Sequence, residues 1–122
     1  MAIHPKAALL LVPFLAAGPV LAQATGPVQT VRYACEQGKS LTAAYFDGPT
    51  GTAANGMPIP GGRVILVLGD GRRLDLPQTV SGSGIRYADK GENVVFWSKG
   101  ETAFLEEGPS QAVTYKGCVA VR

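Results

Sequence analysis

Apolar and polar residues alternate with a period of two along most of the chain beyond residue 28. The alternation runs through residues 31–36 and again through 41–46, with a Gln-Gly-Lys turn between the two segments. A period of two places every second side chain on one face, as in a β-strand with one buried side. Because no stretch beyond residue 28 keeps a helical period over about 11 residues, the pattern predicts β-structure.

Six further short strands are separated by glycine, proline, aspartate and asparagine. They are predicted at residues 64–68, 73–76, 85–87, 94–98, 102–106 and 112–121. The continuous apolar run at 64–68 predicts a strand covered on both faces, followed by a hairpin turn at Gly69-Asp70-Gly71. About eight short antiparallel strands favour an all-β fold, either a small barrel or a sandwich with closed edges.

Two places depart from the strand pattern. Residues 47–62 are rich in glycine, proline and small polar residues, and they predict a long flexible loop without regular structure. Gly117 interrupts the last strand, where a β-bulge would let Tyr115 and Cys118 both face inward.

The first two dozen residues have the features of an export signal. Lys6 gives a basic start, residues 7–21 are an apolar stretch of about 15 positions, and small residues follow. Cleavage after Ala22 or after Ala24 fits the small-x-small rule, and we place it after Ala24. Because the apolar stretch is shorter than the roughly 18 to 20 residues of a membrane span, we expect residues 1–24 to be a signal peptide and 25–122 to be one soluble domain.

Removal of the signal leaves ten basic and nine acidic side chains and no histidine. A net charge of about +1 gives no strong attraction for nucleic acid or an anionic membrane. Without histidine, Ser-His-Asp and Cys-His catalytic arrangements are excluded, and the commonest zinc ligand is missing. We therefore predict no metal, no cofactor and no nucleic-acid partner.

Cys35 and Cys118 are the only cysteines of a chain that we expect to be exported. An oxidising compartment favours a disulfide between them, which would join the first strand to the last. Closing so long a loop stabilises a fold by at most about 4 to 5 kcal/mol. The alternative is a pair of buried free thiols.

The segment SGSGIRYADKGENVVFWSKG, residues 81–100, predicts a β-hairpin with glycine and hydroxyl groups at its open end. With the turn centred on Gly91, Ser83 stands directly opposite Lys99. With the turn centred half a residue earlier, Lys99 stands opposite Gly82 instead. A one-residue slip moves side chains to the other face, so the register stays open. Both alternatives place the hydroxyl and the ammonium at one end of the barrel.

A serine and a lysine flanked by glycines suit two roles. Nucleophilic catalysis requires a desolvated lysine as the base, and the polar surroundings of Lys99 make its burial unfavourable. Recognition requires only that a protonated lysine and a hydroxyl be presented to carboxylates in the cleft of another protein. A solvated hairpin end without a role is the third interpretation.

Three motifs follow one another along the chain. They are Cys-Glu-Gln-Gly at 35–38, Ser-Gly-Ser-Gly-Ile-Arg-Tyr at 81–87 and Phe-Trp-Ser-Lys-Gly at 96–100, with Cys118 near the end. Together they resemble the MliC/PliC family, inhibitors of c-type lysozyme in the bacterial envelope. The resemblance extends from about residue 31 to residue 121.

The resemblance implies an eight-stranded antiparallel β-barrel with one inter-terminal disulfide, in a periplasmic protein that is not an enzyme and whose partner is c-type lysozyme. In the family, the second serine of the SxSG motif and the lysine of the KG motif reach the catalytic carboxylates, and these match Ser83 and Lys99. The other predicted lysozyme-binding residues are Gly84, Arg86, Tyr87 and Gly100. For Tyr87 a place in the core, and for Arg86 a solvated strand position, are the alternatives.

One feature separates the chain from the membrane-anchored branch of that family. No cysteine follows the apolar segment, so the lipid-attachment site is missing, and the chain looks like the soluble periplasmic branch without a membrane anchor. A homodimer through an edge strand or through the 47–62 loop is a further expectation from the resemblance. The alternative functions are a small-ligand-binding barrel of the envelope and a purely structural envelope protein.

Overall fold

The structure, a computed structural model, describes residues 26–122. The signal peptide predicted at residues 1–24 lies outside the described residues. Eight of the ten strands close into one antiparallel barrel, which confirms the all-β prediction and decides for the barrel over the sandwich. No helix in this part of the chain is long and apolar enough to cross a membrane.

The strands follow the predicted segments closely. They are β1 (Gln29–Ala34), β2 (Ser40–Phe46), β3 (Gly51–Thr52), β4 (Pro58–Ile59), β5 (Arg63–Leu68), β6 (Arg73–Thr79), β7 (Ile85–Ala88), β8 (Val94–Lys99), β9 (Thr102–Glu107) and β10 (Ala112–Ala120). The order around the barrel is β1-β10-β9-β8-β7-β6-β5-β2. A short 3-10 turn, Glu36–Gly38, joins β1 to β2. Closure leaves the eight barrel strands paired on both sides, which removes the exposed edges of an open sheet.

Alternate side chains of the eight strands fill the interior. Phe96 of β8 faces Leu105 of β9, and both are fully buried. The remaining core residues include Tyr33, Leu41, Ala43, Val64, Leu66, Leu68, Leu76, Tyr87, Ala103, Tyr115 and Cys118. Burial of this apolar surface is the main driving force for folding.

The last strand has the predicted bulge. The β9–β10 register shifts between Tyr115 and Cys118, and both side chains are buried. Gly117 adopts φ +60, a left-handed conformation that favours glycine, and a Cβ there would collide with the Glu36 side chain. The bulge therefore keeps two inward-facing side chains on a strand that strict alternation would have split between the two faces.

The predicted disulfide joins Cys35, directly after β1, to Cys118 in β10. It lies beside the β1–β10 ladder, which consists of the pairs Tyr33 with Ala120 and Ala34 with Val119. The covalent link therefore reinforces a short seam of the barrel.

Two expectations about the strands were wrong. Residues 47–62 are not without regular structure, because Gly51 pairs with Ile59 and Thr52 with Pro58 in a two-stranded ladder. A ladder of two pairs is too short to leave a period in the sequence. The strand at 64–68 is not covered on both faces either, since Val67 is 47% exposed. It forms part of a single barrel wall, whose outer side faces solvent at that position.

Candidate functional site

Three connections meet at one end of the barrel, which we call the mouth. They are residues 47–62 between β2 and β5, residues 80–84 between β6 and β7, and the Gly100-Glu101 turn between β8 and β9. Antiparallel strands bring these connections together because each joins strand ends on the same side. They surround a concavity of about 790 Å³.

The backbone around Ser83 is held by its neighbour Ser81. The Ser81 hydroxyl donates to the Ser83 carbonyl oxygen at 2.6 Å and lies 3.2 Å from the Ser83 amide, which donates back to it. This local bonding is the way in which serine stabilises a turn. The Ser83 side chain is exposed and makes no hydrogen bond within residues 26–122, so its hydroxyl is available to a partner.

Gly84 brings this loop against strand β8. Its φ is +67, and a Cβ at this position would lie 2.7 Å from the Ser98 carbonyl oxygen and 3.2 Å from the Lys99 Cβ. Both the backbone conformation and the lack of space require glycine here. The loop that carries Ser83 is therefore packed beside Lys99.

The register of the β7–β8 hairpin differs from both predicted alternatives. Ile85 pairs with Ser98 and Tyr87 with Phe96, so the turn is centred half a residue later than Gly91. Ser83 therefore does not stand directly opposite Lys99, as the first alternative required, and Gly82 does not either. Continuing the ladder by one step places Gly84 opposite Lys99, with Ser83 in the adjoining loop.

The cause of this register lies in the turn. The Asp89 amide donates to the Val94 carbonyl at 3.2 Å, and the Asp89 carboxylate accepts from the Val94 amide at 3.0 Å. Glu92 adopts φ +57, so the left-handed position falls on glutamate although a glycine stands beside it. Glycine is the usual residue at such a position, which is why the sequence predicts a turn centred on or just before Gly91.

Lys99 is the last residue of β8 and its side chain is exposed. Its ammonium forms no ion pair among residues 26–122, and its carbonyl accepts from the Thr102 hydroxyl at 3.0 Å. Gly100 follows at φ +59, as the first central residue of the turn into β9. The desolvation that a lysine base would require is absent at this exposed side chain. The arrangement instead presents an ammonium to solvent.

The floor of the concavity is lined by hydroxyl groups. The Tyr33 and Tyr45 hydroxyls share a hydrogen bond of 2.7 Å, and Ser98 is buried close to them. Burial, followed by the bond to Tyr33, raises the pKa of Tyr45, and burial also raises the pKa of Tyr33. Burial, with the nearby Asp47 carboxylate, raises the pKa of Tyr87 to about 12. These groups stay neutral at physiological pH and act as hydrogen-bonding groups.

The predicted contact residues do not all lie at the mouth. Gly84, Lys99 and Gly100 line the concavity, Ser83 lies in the adjoining loop, and Tyr87 lies beneath them at 4% exposure. Arg86 points to the outer face of the barrel. Its guanidinium bonds to Glu92 at 3.0 Å and to the Thr79 hydroxyl at 2.9 Å.

The outer face at Arg86 has its own packing. The Arg86 guanidinium lies 5.7 Å from the centre of the Trp97 ring, and Trp97 stacks on Phe104 at 6.1 Å. Cation–π and stacked aromatic contacts of this kind stabilise neighbouring strands. Trp97 is therefore a packing residue of this outer face.

The sequence interpretation missed the floor of the mouth. Tyr33 and Tyr45 were recognised only as members of alternating strands, and Asp47 only as the start of a loop. The β1–β2 ladder pairs Tyr33 with Leu41 and Tyr45 with Gln29, so the two tyrosines are not neighbours in the ladder. Their hydroxyls meet only through the conformations of two long side chains, which strand alternation in the sequence does not predict.

A charged cluster at the opposite end of the barrel was also missed. Arg72 bonds to both Glu107 carboxylate oxygens, at 2.6 and 3.1 Å, and to Asp70 at 2.9 Å. Thr114 donates to Glu107 at 2.5 Å. These contacts tie the β5–β6 hairpin to β9 and β10, so this end is held by polar bonds among its own residues.

Comparisons with known proteins agree with this geometry. A sequence model of the family described as membrane-bound lysozyme-inhibitor of c-type lysozyme, MliC, matches residues 59–113, which contain both motif segments of the mouth. Over this segment the chain is similar to the MliC family. A membrane-bound lysozyme inhibitor of C-type lysozyme from Cupriavidus necator is 38% identical to this chain over 80 residues, or 66% of the chain and 54% of the relative.

A second MliC-family relative has the same description and comes from Yersinia enterocolitica. It is 52% identical over 44 residues, which is 36% of the chain and 35% of the relative. The chain thus spans about half the length of the first relative and about a third of the second. No solved structure matches the chain significantly.

Proposed function

We propose that this protein inhibits c-type lysozyme by occupying the active-site cleft of the enzyme with Ser83 and Lys99. The observation that carries the proposal is the exposed Lys99 ammonium beside the loop of Ser83, whose backbone is fixed by Ser81; among residues 26–122 the ammonium has no ion pair and the Ser83 hydroxyl has no hydrogen bond. The names of the two relatives support the choice of partner.

The chemistry of the target explains why this pair fits. Lysozyme hydrolyses a glycosidic bond with one protonated and one ionised carboxyl group on either side of it. The Lys99 ammonium pairs with the ionised carboxylate, and the Ser83 hydroxyl donates to or accepts from the neighbouring acid. Sugar and water are excluded while the pair is in place, so the inhibitor acts by occupancy and needs no turnover.

The proposal also includes a cellular location. An inhibitor of a peptidoglycan hydrolase acts where the enzyme meets the wall, and we propose the periplasm. The predicted signal peptide at residues 1–24 and the descriptions of the relatives support this location.

The test is a titration of the purified protein against a c-type lysozyme in a cell-wall lysis assay. We expect lysis to stop at a one-to-one ratio when both proteins are well above the dissociation constant. Undiminished lysis at a tenfold or larger excess of inhibitor, roughly, would reject the proposal for that enzyme.

A second candidate is the binding of a small polar ligand. The concavity of about 790 Å³ with its floor of neutral hydroxyl groups is the observation that favours it, since pockets of roughly 300 to 1,000 Å³ hold small molecules. Mass spectrometry of denatured protein after mild purification tests it. A stoichiometric small molecule would support this candidate, and a clean spectrum together with lysozyme inhibition would reject it.

A further inference from the structure

Exposed large hydrophobic side chains are concentrated at the mouth. Among the described residues, six of the nine lie there: Val28, Met57, Ile59, Val80, Ile85 and Val121. Concentration of apolar surface at one end of a small protein marks an interaction surface, whereas scattered single residues do not. The surface around Lys99 is therefore broader than the Ser83–Lys99 pair.

Residues 47–62, which we call the arm, are fixed to the mouth at their base. Asp47 lines the concavity, and the Gly62 carbonyl accepts from the Gln78 amide at 2.8 Å. A Cβ at Gly48 would collide with the carbonyl oxygen of Gly61. The two chain segments of the arm thus leave the barrel through a neck that has no room for side chains.

The tip of the arm is an ordered turn. The Ala53 amide donates to the Met57 carbonyl at 2.8 Å, and the Met57 amide donates to the Asn55 side-chain oxygen at 3.0 Å. Beside this turn, Met57 is 59% and Ile59 is 40% exposed. Ordered backbone lowers the entropy that is lost on binding, and methionine adapts its shape to varied apolar surfaces.

We propose that the arm is a second contact element, which lays Met57 and Ile59 on an apolar surface bordering the cleft of the enzyme bound at the mouth. The inference rests on the proposed function and adds a determinant of selectivity to it. Residues 48–62 carry no charged side chain, so the arm binds through apolar contact and backbone groups. A protein with a net charge of about +1 after export gains little from long-range attraction and depends on such local fit.

Selectivity follows from the chemistry of the target. Every c-type lysozyme must keep its two catalytic carboxyl groups, so Ser83 and Lys99 meet the same chemistry in each of them. The surface outside the cleft is free to vary between enzymes. An element that reaches beyond the cleft is therefore the part of the inhibitor that distinguishes one lysozyme from another.

The experiment compares three forms of the full domain against an avian egg-white and a mammalian c-type lysozyme. They are wild type, a Met57→Ser/Ile59→Thr double variant, and Val67→Thr as a control for loss of an exposed apolar side chain far from the mouth. We expect the double variant to bind at least one enzyme roughly tenfold more weakly, and the ratio of its two dissociation constants to change. Val67→Thr should bind both enzymes with the dissociation constants of the wild type.

A photo-crosslinking residue placed at Met57 gives a readout that does not depend on affinity. We expect covalent capture of lysozyme from position 57 and none from position 67. Equal affinities of the double variant and wild type for both enzymes, with no crosslink, would overturn the role of the arm while the proposed function stands. Absence of binding by wild type would instead overturn the proposed function, and the role of the arm with it.

Discussion

At the scale of single residues, the position of Ser83 depends on two neighbouring residues. Ser81 fixes its backbone, and Gly84 lets the loop lie against β8. In the proposed function Lys99, in contrast, acts through its own charge at the end of a strand. Substitutions at these positions should therefore separate residues that position the site from the residue that makes the contact.

Gly84→Ala tests the positioning role. The added methyl group meets the Ser98 carbonyl in a left-handed backbone conformation, so we expect a loss of roughly 1 to 3 kcal/mol in stability and weaker inhibition. Gly82→Ala is the matched control, because a Cβ there has no neighbour within 4 Å. Thermal unfolding and a lysis titration measure the two effects. If Gly84→Ala had the melting temperature and the inhibition of the wild type, the loop would not be held as described.

Lys99→Ala tests the contact role. Loss of a charge-assisted contact in a desolvated cleft should weaken lysozyme binding by about 2 to 5 kcal/mol, with almost no change in melting temperature. Lys90→Ala, in the exposed turn at the other end of the β7–β8 hairpin, should leave both unchanged. Calorimetric titration measures the binding, and thermal unfolding measures the melting temperature. A much lower melting temperature for Lys99→Ala would show that Lys99 has a structural role instead.

At the scale of elements, the β7–β8 hairpin shows what the sequence could and could not predict. Alternation and glycine-rich boundaries located both strands to within one residue, because those signals are local. The register depended on an Asp89 side chain that caps the turn and on a left-handed Glu92, neither of which a glycine-based rule detects. The short β3–β4 ladder was missed for a related reason, because two residue pairs leave no period.

The charged cluster at the opposite end makes a prediction about acid stability. The bonds from Arg72 lower the pKa of Glu107 and of Asp70 below their usual values. Depressed carboxylate pKa values add stability above the unfolded-state pKa, and that stability is lost as the pH falls through the folded-state value. We therefore expect the melting temperature of the wild type to fall below roughly pH 4.5, where carboxylates begin to protonate.

Arg72→Met should reduce the part of that acid dependence that comes from Glu107, and loss of this pair should cost about 1 kcal/mol at neutral pH, while the backbone bond from residue 72 to Asp70 remains. Arg73→Met is the control, because the exposed Arg73 forms no ion pair among residues 26–122. Melting temperatures measured at closely spaced pH values between neutral and strongly acidic conditions compare the three proteins. Parallel curves for wild type and Arg72→Met would contradict the assignment of the lowered pKa values to Arg72.

At the scale of the whole molecule, the disulfide closes the barrel where the β1–β10 ladder is short. Reduction should lower stability by at most about 4 to 5 kcal/mol, since the link constrains the unfolded chain. Thermal unfolding with and without reductant measures the effect. A Cys35→Ala/Cys118→Ala variant should have the same melting temperature with and without reductant. If the melting temperature of the wild type did not change on reduction, the prediction would be wrong.

The two ends of the barrel differ in what holds them. The Arg72 cluster closes one end with bonds among the protein's own residues, while at the mouth the Lys99 ammonium and the Ser83 hydroxyl make no bond among residues 26–122. Because the polar bonds of the closed end do not involve the mouth, we expect that end to stay folded when the mouth connections are replaced by foreign loops. The rigid barrel would hold the grafted loops in place. A set of such variants would then be a source of binders for enzymes whose clefts differ from that of lysozyme.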